Sequence, residues 1–371
     1  LIWFIDETLL PGEKEFLARY LRRPENYPEL SEQVSRYCFR TLRSQAKHYA
    51  KVTERVLLTV EYTPGKAERQ LYELLYAYIN QPEKRAFPEM NQYDLALRLL
   101  GLLGSSTAAI LQTIKGIVKR LQGLENAADE LSQWQEIQTA AESIPQDAKA
   151  GELLTVLKQG FSLMKKTGAK QKAVIFTESV ETQKMLQNLL SDRYRTLAYN
   201  GSADYSVIRQ FKEDGEVLIS TDNGAKGFNL EEAAFIIHYD LPYNTLKLEQ
   251  RIDRCHRLGQ ENDVLSVAFI DKNNFADVRK LELVNKRMLV TDGVFGITDD
   301  VLGGFTDDVK AAFPVIAQRL RPRAQIEQAY RQTLSTHEED NRQTVSAAED
   351  ILFTTFTKEL ADKVKINPKY V

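Results

Sequence analysis

The sequence predicts an α/β protein built on a parallel β-sheet with flanking helices, together with a helical insertion and a C-terminal helical region. Two observations support this prediction. Between about residues 151 and 290, short apolar runs of strand length alternate with segments of helical periodicity. The runs are continuously apolar, as expected of strands that are covered on both faces.

Six segments are predicted as strands. The first, RVLLTVEY at residues 55–62, precedes the α/β unit and is rich in β-branched and apolar residues. A Thr-Pro-Gly break follows it, and the next segment has a helical apolar stripe. The other five apolar runs are residues 172–179, 195–201, 216–222, 234–240 and 264–271.

The changes in residue pattern along the chain divide it into four predicted regions. Residues 1–58 are mostly helical with basic residues between the apolar ones, and residues 59–150 are a helical insertion or connector. Residues 151–290 are the α/β unit. Residues 291–371 start with a Gly- and Asp-rich stretch, expected to be a loop, and continue as a C-terminal helical brace.

Composition narrows the functional classes. The 371 residues are 43% hydrophobic and 27% charged, which is typical of globular proteins, and the length indicates two or three domains. Two distant cysteines and four histidines without ligand spacing argue against a disulfide framework or a bound metal, and we expect a cytoplasmic location. No apolar run approaches a membrane span, so no membrane partner is expected. A net charge of −3 means that any nucleic-acid surface must be local.

The stretch LEQRIDRCHRLGQ, residues 248–260, concentrates positive charge on one predicted helix. This helix is expected from about residue 245 to 258, with Gly259 as its stop. At about 100° per residue, Gln250, Arg254 and Arg257 share one face. The opposite face is apolar and consists of Leu248, Ile252 and Cys255.

Two consequences follow for the arginine face. Asp253 and Arg257 have the i, i+4 spacing of a helical ion pair, so we expect them to pair. Planar guanidinium groups suit polyphosphate ligands, and two of them beside a glutamine are the candidate site. The alternative is a solvated charged face that is held by salt bridges.

A second candidate element is STDNGAKGFNL, residues 220–230, which follows a predicted strand. Ligands of open α/β sheets bind outside the carboxyl ends of the strands. Gly224 and Gly227 would let the backbone approach a phosphate or ribose closely. An ordinary turn between strand and helix is the alternative.

Together these two segments resemble motifs five and six of superfamily-two helicases, and HRLGQ is typical of the SWI/SNF-type branch. KAVIFTES resembles motif four, and YNG at residues 199–201 resembles motif four-a. Further segments are similar to a bacterial SWI/SNF-like subfamily, so the resemblance covers nearly the whole chain: FIDE, RTLRSQ, LLGSSTAAILQTI and DGVFGITDDVLGG. The chain departs from the family at residues 243–245, where Tyr-Asn-Thr replaces Trp-Asn-Pro, and at Asp253, where many relatives have glycine.

The resemblance implies a RecA-like fold and an ATP-dependent translocase or helicase acting on double-stranded DNA. Residues 1–58 would be the tail of a first RecA-like lobe and residues 151–290 the second lobe. Arg254 and Arg257 would be arginine fingers, with Gln250 near the γ-phosphate. Gly224, Gly227 and Asn229 would line the nucleotide side. The nucleic-acid backbone would lie near Thr177, Asn200, Gly201, Ser220 and Thr221.

The first half of an ATP site has no counterpart in the sequence. No GxxxxGK(S/T) loop and no acidic box after a strand occur. We therefore expect ATP and Mg²⁺ to be bound mainly by an N-terminal ATPase lobe that is missing from this chain, and we expect the chain alone to be inactive. Two alternatives stay open: a non-catalytic interaction scaffold with protein partners in a defence or transcription complex, and an RNA-directed helicase.

Overall fold

The computed structural model describes residues 10–21, 23–35, 37, 53–201, 205–222, 228–257, 259–295 and 300–332. At the N-terminus, α1 (Glu13–Phe16) continues into a π-helical turn (Leu17–Leu21), followed by a 3₁₀ turn (Pro24–Asn26) and α2 (Tyr27–Ser35). Their buried side chains, led by Tyr20 and Leu30, pack with Val294. Among the described residues, no helix has the length and apolar character to cross a membrane.

The helical insertion consists of α3 (Lys66–Ile79), α4 (Gln92–Ser105), α5 (Thr107–Leu121) and α6 (Ala128–Glu142). Asn91 and Ser106 cap α4 and α5 by accepting from backbone amides of the first turn. The rings of Tyr78 and Trp134 meet edge to face at 4.6 Å inside a largely apolar core. These four helices agree with the helical character predicted for residues 59–150, and the assignment of the region as an insertion stays a prediction.

The sheet has seven strands in the order β3-β4-β2-β5-β6-β1-β7, and all pairings are parallel. The strands are β1 (Arg55–Glu61), β2 (Ala173–Thr177), β3 (Thr196–Tyr199), β4 (Val217–Thr221), β5 (Phe235–His238), β6 (Val264–Ile270) and β7 (Gly304–Thr306). Every residue of β2, β4, β5 and β6 is buried, which is why these strands are largely apolar.

Helices cover both faces of the sheet. One face packs against α7 (Ala148–Thr167) and α8 (Val180–Leu190). The other face packs against α9 (Ser206–Glu213), α10 (Thr245–Cys255) and α11 (Phe275–Phe295). A last helix, α12 (Val309–Arg319), joins the first face through Phe313 and Ile316. This arrangement confirms the predicted parallel sheet with flanking helices.

The predicted borders need a correction at β1. The expected border between residues 58 and 59 falls inside this strand, which pairs with β6 along its whole length. Residues 55–58 therefore belong to the sheet. The borders after residues 150 and 290 also fall inside helices, α7 and α11. The assignment of residues before β1 to an upstream lobe stays a prediction, and FIDE and RTLRSQ lie outside the described residues.

The stretch after residue 291 contains a strand where a loop was expected. Gly303 comes so close to β1 that a Cβ atom there would collide with the Leu57 carbonyl, and the Thr59 hydroxyl donates to the Gly303 carbonyl at 3.2 Å. Glycine at this position lets the short β7 add to the edge of the sheet. Residues 333–371 of the predicted helical brace lie outside the described residues.

Candidate functional site

Helix α10 carries the candidate arginine face. The Asn244 side chain caps its start by accepting from the Leu246 amide at 3.0 Å. The helix ends at Cys255, and Gly259 has a φ of 100°, the left-handed conformation expected of a helix stop. The end lies slightly before the predicted one, and residue 258 lies outside the described residues.

The predicted division into two faces holds for the residues inside α10, whereas Arg257, which was predicted on the same face, lies beyond the end of the helix at Cys255. The apolar side chains of α10 are fully buried against the sheet: Leu248, Ile252 and Cys255. Gln250 and Arg257 are exposed, and Arg254 is half-buried. The burial of the first set directs the second set away from the sheet.

Arg251 is a buried anchor that the analysis of the sequence missed. Its side chain is 1% exposed, and its Nε donates to Asp222 Oδ1 at 2.6 Å. Its Nη1 donates to the Asp240 carbonyl at 2.7 Å, and its guanidinium lies 5.6 Å from the Phe176 ring centre. The signal was available, since position 251 lies within about 60° of Leu248 on the helical wheel. An arginine on an apolar face indicates a buried partner.

The two predicted fingers differ in their contacts. The buried Nε of Arg254 has no hydrogen-bond partner among the described residues. Arg257 Nη1 donates to the Asn229 side chain. The predicted Asp253–Arg257 pair is wrong, because Asp253 Oδ1 binds Arg55 Nη2 at 2.8 Å instead. Arg55 lies at the start of β1 and competes for the carboxylate.

His256 ties the end of α10 to the segment that enters β1. Its Nε2 lies 2.9 Å from the Thr53 carbonyl and must donate there. Its Nδ1 accepts from Arg55 Nε at 2.6 Å. The ring is therefore neutral with its proton on Nε2, and it holds the helix in place from the inside of the molecule.

A buried polar network surrounds Asp240, just beyond the end of β5. Its carboxylate accepts from Lys149 at 3.1 Å, Ser105 at 2.9 Å, Thr177 at 2.5 Å and the Glu178 amide at 3.0 Å. Burial alone would raise the pKa of Asp240. The ammonium groups of Lys149 and Lys280, with the hydrogen bonds, bring the pKa below its ordinary value.

The residues predicted to contact nucleic acid lie together at the carboxyl ends of β2, β3 and β4, which are neighbours in the sheet. Gly201 is exposed with a φ of 90°, and Asn200 is half-buried. Thr177 is fully buried, and its hydroxyl is engaged by Asp240. Ser220 and Thr221 are buried as well. Their roles stay predictions, with the hydroxyl of Thr177 facing inward.

The arginine face and this edge are separate places in the fold. Helix α10 connects two parallel strands, so it runs antiparallel to them and carries Arg254 and Arg257 toward their amino ends. The connection from β4 to β5 runs the same way and brings Asn229 to Arg257. Gly224 and Gly227, which belong to this connection, lie outside the described residues.

Two other observations bear on ligand binding. The described residues contain no group of three or more His, Cys, Asp or Glu side chains that could bind a metal. A cavity of about 400 Å³ lies between α3 and the ends of β1 and β6, lined by Tyr62, Glu68, Tyr72 and Asp271 among others. None of the predicted site residues lines it.

The fold is RecA-like, a parallel sheet between two layers of helices. Residues 152–259 match the family model described as the helicase conserved C-terminal domain, and this range includes Asp240, Thr177 and all of α10. Ser105 and Lys149, which also bind Asp240, lie outside it.

Two curated proteins and one solved structure are similar to parts of this chain. The chain is 32% identical over 204 residues to the uncharacterized ATP-dependent helicase YqhH of Bacillus subtilis, covering 53% of this chain and 34% of that protein. It is 27% identical over 186 residues to the RNA polymerase-associated protein RapA of Vibrio vulnificus, covering 48% and 17%. The C-terminal part of the Fun30 ATPase domain aligns with a TM-score of 0.44 at 16% identity, covering 65% and 97%. The chain spans about a third or less of the length of these curated relatives.

Proposed function

We propose that this chain supplies the second RecA-like lobe of an ATP-dependent, SWI/SNF-like motor that translocates along or opens double-stranded DNA. The outer face of α10 carries the proposal. Gln250 and Arg254 lie on it, and Arg257 follows two residues after the end of the helix, while Arg251 fixes the helix through Asp222. The helicase-domain match over residues 152–259 and the helicase and RapA relatives support the same conclusion.

The arginine face fits a triphosphate. Arg254 has a buried guanidinium nitrogen without a partner among the described residues, and phosphate oxygens are suitable acceptors. In the proposed site Arg254 and Arg257 donate to phosphate oxygens, and Gln250 lies beside the γ-phosphate. Asn229, Gly224 and Gly227 line the nucleotide. ATP, when bound, supplies the phosphoanhydride bond whose hydrolysis drives the motor. An arginine finger contributes about 10³–10⁵ to the rate of such reactions.

The remainder of the ATP site belongs, in this proposal, to another lobe. The sequence has no phosphate-binding GxxxxGK(S/T) loop and no acidic box. A first RecA-like lobe would hold Mg²⁺ and the β- and γ-phosphates, and the two arginines would reach across from this chain. We therefore propose that the chain alone hydrolyses ATP at background level, and that a cytoplasmic protein contains both lobes.

The DNA side of the proposal is the edge formed by the ends of β2, β3 and β4. In this proposal Gly201 and Asn200 contact the phosphate backbone, and the exposure of Gly201 and partial exposure of Asn200 support that role. Ser220 and Thr221 form the buried end of β4 at the same edge. Thr177 supports it from inside, because its hydroxyl belongs to Asp240.

Finger substitutions test the proposal in a protein that also contains the first lobe. Arg254→Ala and Arg257→Ala should each lower DNA-stimulated ATPase by about 10³-fold, because each removes charge stabilisation of the transferring phosphoryl group. Duplex affinity, measured at one stated salt concentration, should change by less than about threefold. Arg279→Ala, which removes an exposed arginine paired with Glu282, is the matched control and should change neither. Parallel loss of ATPase and DNA binding would contradict the finger role.

Competition binding separates the remaining possibilities. Duplex DNA, single-stranded DNA and RNA should compete for the protein in that order of affinity at a fixed salt concentration. Preference for RNA would favour an RNA-directed helicase. Absence of ATPase activity from the two-lobe protein would favour the non-catalytic scaffold.

A further inference from the structure

Asp240 joins three parts of the fold that are far apart in sequence. Its side chain binds Ser105 at the end of α4 and Lys149 at the start of α7. The same carboxylate binds Thr177 and the Glu178 amide at the end of β2. Its main-chain carbonyl accepts from Arg251 of α10. One residue therefore contacts the helical insertion, the predicted nucleic-acid edge and the arginine helix.

The residues that make these contacts are buried from solvent. Asp240 is 3% exposed, Lys149 3% and Arg251 1%. Lys280, 2% exposed, reaches Glu178 at 3.6 Å on the same side. Replacing a buried ion pair with well-packed apolar residues is often neutral or stabilising, so stability alone is a weak reason for this arrangement. Ion pairs and hydrogen bonds differ from apolar packing in that they fix direction and distance.

The path from the insertion to the fingers is short. A shift of α4 or α7 acts on the Asp240 side chain through Ser105 and Lys149, and the Asp240 carbonyl acts on Arg251. Arg251 is also held by Asp222, which Lys247 of the same helix contacts at 3.1 Å. Because Arg251 and Arg254 are three residues apart on one rigid helix, rotation of α10 at Arg251 moves Arg254.

We infer that Asp240 is a positioning residue through which the helical insertion and the nucleic-acid edge set the orientation of the arginine face of α10. This inference rests on the proposed function for its catalytic consequence. The structural part of the inference is a link from Lys149 through Asp240 to α10, and it can be measured without an assay of activity.

Amide hydrogen exchange on the 371-residue chain tests the link. Lys149 makes no contact with α10 in the described residues beyond the shared Asp240. Lys149→Met should nevertheless speed exchange in residues 246–255 by about tenfold, and Asp240→Asn should do the same. Tyr78→Phe is the control: it removes a hydrogen bond to Glu130 inside the insertion and should leave α10 unchanged. Faster exchange confined to α4 and α7 in Lys149→Met would overturn the inference.

The double variant Asp240→Asn/Lys149→Met separates positioning from stability. It removes both charges, so no buried charge is left unpaired, and its unfolding midpoint should recover relative to Lys149→Met. Exchange in α10 should stay fast, because the link between α7 and residue 240 is still absent. Recovery of both properties together would show that Lys149 only stabilises, and would overturn the inference.

The catalytic consequence is measured in the two-lobe protein. Asp240→Asn should reduce DNA-stimulated kcat by about tenfold and unstimulated kcat by a smaller factor, while leaving the KM for ATP within about twofold. An equal loss in stimulated and unstimulated rates would contradict coupling. If Arg254→Ala had no effect on ATPase, the proposed function would fail, and the exchange of α10 would still decide the role of Asp240.

Discussion

The helical insertion and the carboxyl edge of the sheet satisfy their buried polar groups in different ways. In the insertion, Glu130 accepts from the Tyr78 hydroxyl at 2.7 Å and from the amides of Arg85 and Ala86 at 2.8 and 3.0 Å. These partners belong to the insertion itself. Around them the core is apolar and aromatic, with Trp134 at its centre.

At the sheet edge, buried ions are held by partners from distant segments. Lys149 reaches Asp240, and Arg251 reaches Asp222 and the Asp240 carbonyl. Burying charges of this kind is expensive unless each has its partners. The insertion is thus stabilised mainly by apolar packing with local polar contacts. The carboxyl end of the sheet is held by buried ion pairs, which fix the relative orientation of segments that are distant in sequence. Through Arg251, these buried ions also fix α10, which carries the proposed arginine face toward the other end of the strands.

Trp134→Ala should have the largest effect on stability. The side chain is fully buried and packs on Tyr78 and Phe87, so its removal leaves a large cavity. We expect the free energy of unfolding to fall by about 3–5 kcal/mol. Denaturant titration measures this change. Tyr76→Ala, at an exposed ring on the same helix as Tyr78, should cost less than about 0.5 kcal/mol. A loss below about 1 kcal/mol for Trp134→Ala would show that the insertion core is not tightly packed.

Thr177→Val tests the edge with a nearly isosteric change. It removes a hydrogen bond to an ionised buried carboxylate, and the free energy of unfolding should fall by about 1.5–3 kcal/mol at neutral pH. The pKa of Asp240 is lowered in the folded state, so this stabilisation is complete above its ordinary value of about 3.9. It is lost as the pH falls through the lower folded value. Denaturation at several pH values measures both features.

Thr59→Val is the matched control for Thr177→Val. Thr59 is equally buried on a strand, but its hydroxyl donates to the neutral Gly303 carbonyl. Its replacement should cost about 1 kcal/mol with little dependence on pH. Equal losses in the two variants would remove the energetic distinction between the ionic edge and the rest of the sheet.

Elements with a regular residue pattern could be predicted from the sequence. The buried parallel strands were predictable from continuous apolar runs such as 264–270, because covering both faces leaves no polar alternation. The two faces of α10 were predictable from helical periodicity alone. The strand β7 was not, since its three residues are exposed or partly exposed and include only one apolar side chain, Phe305.

The ionic part of the site could not be predicted, because it depends on which segments meet. Lys149 and Asp240 are 91 residues apart, and Arg55 and Asp253 are 198 apart. Local spacing favoured an Asp253–Arg257 pair, but a helical i, i+4 pair is worth only about 0.2–0.5 kcal/mol. The sheet places Arg55 within reach of Asp253, and that contact replaces the local one.

His238 gives the edge a dependence on pH near neutrality. Burial, together with the charge of Arg251, holds the pKa of His238 well below its ordinary value. The unfolded chain therefore binds a proton near pH 6.5 that the folded protein excludes, and stability falls as the pH drops below that value. The slope should approach about 1.4 kcal/mol per pH unit. His238→Gln should remove this contribution to the slope in denaturation between pH 7.5 and 5.5, whereas Ser266→Ala, which removes only the hydroxyl beside the ring, should preserve it.

A smaller effect than for Thr177→Val is expected for Tyr78→Phe, which tests the comparison from the side of the insertion. The hydroxyl is lost, but Glu130 keeps both backbone amides as donors and is only half-buried, so its charge stays solvated. The free energy of unfolding should fall by about 0.5–1.5 kcal/mol, less than for Thr177→Val. Both hydroxyls donate to carboxylates, and the difference between the two losses measures what burial adds to such a bond. A larger loss of unfolding free energy for Tyr78→Phe than for Thr177→Val would show that the hydrogen bond in the insertion contributes more than the one to Asp240. The Asp240 contacts would then not explain how α10 is held in a fixed orientation.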